Sequence, residues 1–504
     1  MEQGTVVLTG HDLSFEQIEQ IAVHGYKIRI AAEGMRRLEE ANSLVERLSR
    51  REKSVYGLNT GVGWNKDRKV DQASFEIYNQ RLLRSHMVGL DPECDVQETR
   101  AILAIRLNGF LCGCTGVSPE IAGYYAEFLN RNIHPVIKKR GSVGAADIGT
   151  LPAIGLAIIG EGGVIYRGER MDAGKALELS GLKVLALGPK DGLSIVSSNA
   201  QSAAFAALAV IEAQRLLELH QMVYCLTMEG FNGVADPMEE RVNLARGFDG
   251  QIRCSRKCRE YLEGSYLFKP HNERALQDPL SFRSHCAVTG AVLDAVEYLK
   301  KQLSIEINTA DDNPCLLPEE DLCFGSANFE PLSWVLGLEM VGIALNHISR
   351  MICNRLMRLA DPALSKLPRF LSADESNIIA YSTVQKPLAA LDSENRMYAN
   401  PSSVDFQSLA GNIEDHGSNA GLAAEKVRRI IDNLYYMTGI ELMHGAQALD
   451  LRKPDVLGRK TGELYERYRQ VVPHLEDDRN LSVDIHKSYD FLKSYEIENM
   501  KETG

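Results

Sequence analysis

The chain has 504 residues, 44% of them hydrophobic and 25% charged, a length that implies two or three structural units and the balance of a folded globular protein rather than a disordered one. Its formal net charge is −12 and no basic stretch is dense enough to track a phosphate backbone, so nucleic acid is excluded as an expected partner. Met1–Gly10 carries no basic leader before an apolar run, and apolar stretches such as Leu151–Ile159 and Phe205–Ile211 stop short of the roughly 20 residues of a membrane span, so neither secretion nor a membrane contact is expected.

Helical periodicity is common along the chain and strand alternation is rare. His11–Ala22 places Leu13, Phe15, Ile18, Ile21 and Ala22 at helical spacing, and Ala32–Ser49 continues in the same way. Glycine and proline concentrate around Tyr56–Gly63 and Gly141–Gly163. From there on, Ser202–Thr227, Val288–Leu303, Pro331–Leu359 and Asn419–Met443 read as long helices, the first with small or apolar residues on nearly every face. Several helices of this length imply a central bundle. The expected fold is mainly α, with a loop-rich N-terminal unit over residues 1–200 and a helical bundle with a helical C-terminal region over 201–504. Ten cysteines are scattered. Cys112 and Cys114 form only a C-x-C and no paired C-x-x-C modules occur, so reduced thiols of a cytoplasmic protein are expected and no metal site.

Tyr56-Gly57-Leu58-Asn59-Thr60-Gly61-Val62-Gly63 is a glycine-rich loop with no Lys-Ser/Thr pair after it, which sets it apart from a phosphate loop. It is a turn or, with tyrosine at its head, the seat of a general base. Further polar clusters follow at Asn79–His86, Gly141–Asp147, Gln277–Arg283, Asp312-Asn313-Pro314 and Asn412–His416. Each alone reads equally as a helix cap or a solvated face.

Taken together, in this order and at these separations, the clusters resemble the histidine/phenylalanine/tyrosine ammonia-lyase family over nearly the whole chain, from Leu8–Leu13 to Asp478–Leu481. The resemblance implies a mainly α homotetramer whose active sites draw segments from more than one subunit, acting on a small amino-acid-like substrate. It implies that Tyr56 is the catalytic acid/base and that Glu414 is an acid/base or amine-binding group. It implies substrate-side roles for His86, Asn199 and Phe329, and for Arg283 as the carboxylate clamp, a task suited to its bidentate fork. Ser85-His86 and Glu414 lean towards the histidine-specific branch.

Members of that family cyclise an Ala-Ser-Gly triplet into a methylidene-imidazolone group. The ring closes through backbone atoms and the serine loses water to give the alkene. Here the triplet is Ala145-Ala146-Asp147; alanine has no hydroxyl to lose, and Asp147 replaces the glycine that permits close backbone approach. Ser142, four residues upstream, matches the constant lead and is not expected to substitute. Ser197-Ser198-Asn199 stands where an asparagine normally supports the cofactor, with that asparagine displaced or replaced. Leu280 stands in place of a tyrosine and Ile413 in place of a glutamine. Four linked changes point to a divergent branch and not to a single engineered knock-out. The expectation is a lyase that performs elimination, or the reverse addition, on an amino acid or related carboxylate without the methylidene-imidazolone cofactor. The alternatives are a non-catalytic binding or structural homologue, and a histidine ammonia-lyase with an altered cofactor.

Overall fold

Runs of small residues allow helices to pack closely on several sides. In Ala200–Phe231 the residues Ala203, Ala204, Ala206, Ala207 and Ala209 are all buried. The computed structural model of the chain describes residues 4–51, 54–269 and 274–497, so the first three residues of the Met1–Gly10 stretch lie outside it. Helices dominate and fall where the apolar spacing places them. Ala32–Ser49 has the expected limits, and the other long helices are Ala200–Phe231, His285–Glu306, Leu332–Leu359 and Ala420–Arg452. The first helix starts later than expected, at Phe15. Ser14 and Gln17 form a reciprocal capping box there, each side chain accepting the other's backbone N–H, and this fixes the helix start whatever the apolar spacing upstream.

The chain folds into two compact units, each gathered from three segments. The first contains residues 1–211, 299–339 and 401–425. Thr5–Leu8 pairs in parallel with Lys27–Ile30, and Ile133–Pro135, Gly163–Tyr166 and Glu169–Asp172 form a small antiparallel sheet. Around these strands pack helices Val96–Phe110 and Pro119–Arg131. The former is buried on nearly every face, which is why its sequence shows no clean amphipathic stripe. The second unit contains residues 212–298, 340–400 and 426–504. It is helical throughout, adding Asp249–Tyr261, Gln385–Tyr398, Arg459–Arg469 and Leu481–Ser494 to its shares of the long helices.

The expectation drawn from uninterrupted apolar runs needs one correction. Asp191–Phe231 and Leu332–Leu359 are long and apolar enough, by length and composition, to cross a membrane. Scattered polar residues interrupt the runs, yet the mean hydropathy of the windows stays at 1.4 and 1.3. Of the most apolar windows, 94% of the first and 56% of the second is buried inside the protein, and the first is a core helix.

Candidate active site

The first unit holds a polar cluster built outward from the Ala145-Ala146-Asp147 loop. Gly144 has φ +77° and Ala146 φ +63°, so an alanine occupies the left-handed region, which costs an L-residue roughly 1–2 kcal/mol. Such strain persists only where surrounding bonds hold it. Here the Ala146 N–H donates to Asn199 Oδ1 at 3.1 Å and the Asp147 N–H donates to the Ser198 carbonyl at 2.6 Å. The Ser142 hydroxyl accepts from the Gly144 N–H at 3.1 Å and donates to the Ala146 carbonyl at 3.4 Å. From the far segment, Ser418 Oγ donates to the Gly144 carbonyl and the Asn419 N–H to the Val143 carbonyl. Gly144 is obligatory, because a Cβ there would meet the backbone at Asn419 and Ala420.

Asp147 is fully buried and its carboxylate accepts from both the Ser202 N–H (2.8 Å) and the Ser202 hydroxyl (2.7 Å). Burial pushes its carboxyl above the ordinary range against the pull of those bonds. The aspartate is therefore a structural anchor at the head of Ala200–Phe231, and its backbone N–H is committed to Ser198. Neither the methyl of Ala146 nor this anchored Asp147 fits the ring-forming chemistry of the family's cofactor.

Asn199 links the loop to the rest of the site. Its side-chain amide donates to Glu306 Oε1 at 3.2 Å and to the Phe329 carbonyl at 2.9 Å. Phe329 thus meets this cluster through its backbone. The Asn199 N–H and Ser198 hydroxyl both donate to Asp311 Oδ2, at 2.6 and 2.7 Å. Asp311 in turn receives Arg106 Nη1 at 3.0 Å, and Arg106 also reaches Asp312 at 3.2 Å and the Ser194 carbonyl. Burial alone lowers the Arg106 guanidinium, but Asp312 and Asp311 reverse this and hold it above its usual value. Burial, then the Asp311 carboxylate, push Glu306 up to about 8.

Tyr56 heads its loop with the hydroxyl oxygen accepting the Gly63 N–H at 3.1 Å. Glu414 stands close by, since a Cβ on Gly63 would lie 3.8 Å from Glu414 Oε1. Glu414 is positioned by a backbone bridge to Leu409 and by the stacking of Trp64 on Gly411. Two residues further on, His416 Nε2 lies 3.5 Å from Glu330 Oε2, beside Phe329. Residues 414–419 therefore connect the Tyr56 loop to the 143–147 loop. His86 ends helix Phe75–His86; its Nδ1 faces the Leu82 carbonyl at 2.9 Å and Ser85 Oγ at 3.1 Å, and donation from Nδ1 to that carbonyl leaves Nε2 as an acceptor.

The structure brings both Tyr56 and Glu414 to Gly63, and joins Ala146 to Asn199 and the Phe329 carbonyl, all in the first unit. Arg283 belongs to the second unit, at the end of Leu280–Arg283. It is exposed, and among the described residues its guanidinium makes no hydrogen bond or ion pair. A cleft of about 450 Å³ in that unit runs along Leu280, Ser281, His347 and Arg350, but it contains none of the acid–base residues. Sequence reading missed Arg106, Ser202, Glu306 and Asp311. The dipeptide Asp311-Asp312 was the available signal, since two adjacent acids before a proline need a buried cation if they do not face solvent.

The mainly α fold, with its long helices and its small-residue loop at 143–147, is that of the ammonia-lyases, which are carbon–nitrogen lyases, as comparison with known proteins shows. The histidine ammonia-lyase of Geobacillus thermodenitrificans is 34% identical over 98% of this chain and 98% of its own length. Among solved structures, ergothionase from Treponema denticola, an ergothioneine-degrading enzyme in complex with desmethyl-ergothioneine sulfonic acid, is 47% identical with a TM-score of 0.95, covering 97% of this chain and 99% of that one. Histidine ammonia-lyase from Trypanosoma cruzi is 26% identical with a TM-score of 0.90, covering 97% and 93%. Residues 13–470 match the aromatic amino acid lyase family, and the chain belongs to that family.

Proposed function

We propose that this chain eliminates a tertiary amine from a quaternary-ammonium betaine of a histidine-type amino acid, with ergothioneine as the substrate to test first, and that it does so without a methylidene-imidazolone group. The observation that carries this reading is Ala146 in the triplet, with the following N–H already bound to Ser198. In ordinary histidine the β-hydrogen is barely acidic and the amine leaves poorly, so an electrophile is needed to activate it. Ergothioneine is the trimethylammonium betaine of a thiol-bearing histidine. Its nitrogen departs as neutral trimethylamine and needs neither a proton nor an electrophile.

The step balances simply. A base takes the β-proton, that C–H pair becomes the Cα=Cβ bond, and the Cα–N pair leaves with trimethylamine. Tyr56 is the base and Glu414 balances the substrate's positive charge. His86 Nε2 orients the substrate beside Phe329 while the fully buried Asn199 holds the Ala146 loop, and Arg283 grips the substrate's carboxylate in a homotetramer whose sites draw on more than one subunit. Acid–base catalysis supplies roughly 10²–10⁴-fold and positioning on the order of 7–11 kcal/mol, which suits a substrate with a good leaving group. The likeness to ergothionase supports this choice over histidine. Incubation with ergothioneine should release trimethylamine and the unsaturated thiol-imidazole acid in equal amounts, read by mass spectrometry. Ammonia from histidine with no amine from ergothioneine would refute the reading.

A further inference from the structure

The second unit buries a knot of sulfur and imidazole that the elimination chemistry does not use. Cys254 and Cys258 lie one turn apart on Asp249–Tyr261, and His285 and Cys286 open His285–Glu306. Ligand atoms of Cys254, Cys258 and His285 all lie within 4.8 Å of one another. Cys286 follows His285 in the chain and lies outside that group of three. All four residues are at most 4% exposed. The two helices approach closely because glycines face each other where they cross; a Cβ on Gly250 would collide with the Gly290 carbonyl, and one on Gly290 with the Gln251 backbone.

A second, independent observation concerns the histidine. His285 Nδ1 lies 3.3 Å from Thr289 Oγ1, whereas its buried Nε2 has no hydrogen-bond partner. The ring is fixed by stacking on Tyr224 at 3.5 Å between centroids. Leaving such a nitrogen unpaired in a dry interior costs about 1–3 kcal/mol. A metal-bound histidine has this arrangement: one ring nitrogen donates to a neighbouring polar group, which orients the other as a ligand.

We propose that Cys254, Cys258, His285 and Cys286 bind a structural zinc ion that ties helix Asp249–Tyr261 to helix His285–Glu306. Thiolates with one imidazole select a soft or borderline ion, and a closed set of four protein ligands leaves no open position for catalysis. Zn–S bonds of about 2.3 Å and Zn–N bonds of about 2.0 Å set tetrahedral edges of roughly 3.5–3.8 Å, so Cys254, Cys258 and His285, now within 4.8 Å of one another, draw together and the Cys286 thiol moves in to complete the set. Cys225 donates to the Cys258 carbonyl at 3.7 Å and lies outside the ligand set. Because the site is fully buried, the ion enters as the chain folds. The expectation of no metal rested on C-x-x-C spacing, and a C-x-x-x-C helical turn completed by a His-Cys pair from another helix escapes that pattern.

Untagged full-length protein, expressed with added zinc and dialysed, is expected to carry about one zinc per chain by plasma mass spectrometry. X-ray absorption at the zinc edge is expected to give a shell of three sulfurs and one nitrogen. Cys258→Ser should lose the ion and Cys225→Ser should keep it. If Cys258→Ser fails to fold, the absorption spectrum of the wild-type protein decides. Folded protein with less than about a tenth of an ion per chain, or zinc in a shell of oxygen and nitrogen only, overturns the proposal.

Discussion

Replacing Asp311 with alanine tests the scaffold that holds the reactive loop. Asp311 Oδ2 accepts from the Asn199 N–H at 2.6 Å and the Ser198 hydroxyl at 2.7 Å, while Oδ1 receives Arg106 at 3.0 Å. The substitution removes one anion and strands two donors and part of a buried cation. Breaking a buried ion pair by losing one partner costs about 3–5 kcal/mol. Asp312, 3.2 Å from Arg106, keeps part of the pairing, which places the loss near the lower bound, at about 3 kcal/mol or roughly 150-fold in the folding constant. Asp311→Asn retains one acceptor and should lose less. Urea unfolding of the three proteins under matched conditions reads the stability change. Turnover by the alanine variant should fall as well, because Asn199 holds Ala146. An Asp311→Ala protein within about 0.5 kcal/mol of wild type would refute the buried-pair argument.

Three further outcomes follow from the site. Tyr56→Phe should cut turnover by roughly 10²–10⁴ while leaving binding of a non-reactive betaine intact; unchanged turnover would remove Tyr56 as the base. Arg283→Ala should weaken carboxylate binding by about 10–150-fold, from the loss of charged hydrogen bonds worth roughly 1.5–3 kcal/mol, as measured by calorimetry. Glu306 titrates at about 8 in the folded protein, above its unfolded value, so its contribution to stability is fully present below about pH 4.3 and is lost as pH rises through 8. Glu306→Gln, which keeps an acceptor for Asn199, should therefore flatten stability against pH over that window and be the more stable protein at pH 9. Parallel pH profiles for the two proteins would count against a carboxyl raised by its surroundings.

The long helices were legible because their apolar spacing extends over many turns, as in Ala32–Ser49, and their ends were less so because caps such as Ser14–Gln17 depend on local bonds. The strands, each of three or four residues, are too short to show alternation. Tyr56, Glu414 and Asn199 were singled out through family resemblance and not through physics, since each alone reads as a turn, a cap or a surface residue. Arg106 and Glu306 were hidden for a different reason. A buried arginine inside Val96–Phe110 looks like any helical arginine until Asp311 and Asp312, some 200 residues away, are seen to face it. Asp147 shows a further limit. In sequence it reads only as a missing glycine, whereas in the fold it anchors Ser202 and engages the backbone that cyclisation would need.

The most direct measurement of the central claim is the mass of the peptide spanning residues 145–147, taken from a preparation shown to release amine from ergothioneine. The account predicts the unmodified peptide mass in enzyme that turns over. A peptide lighter by the loss of water, as ring formation would leave it, would contradict the account.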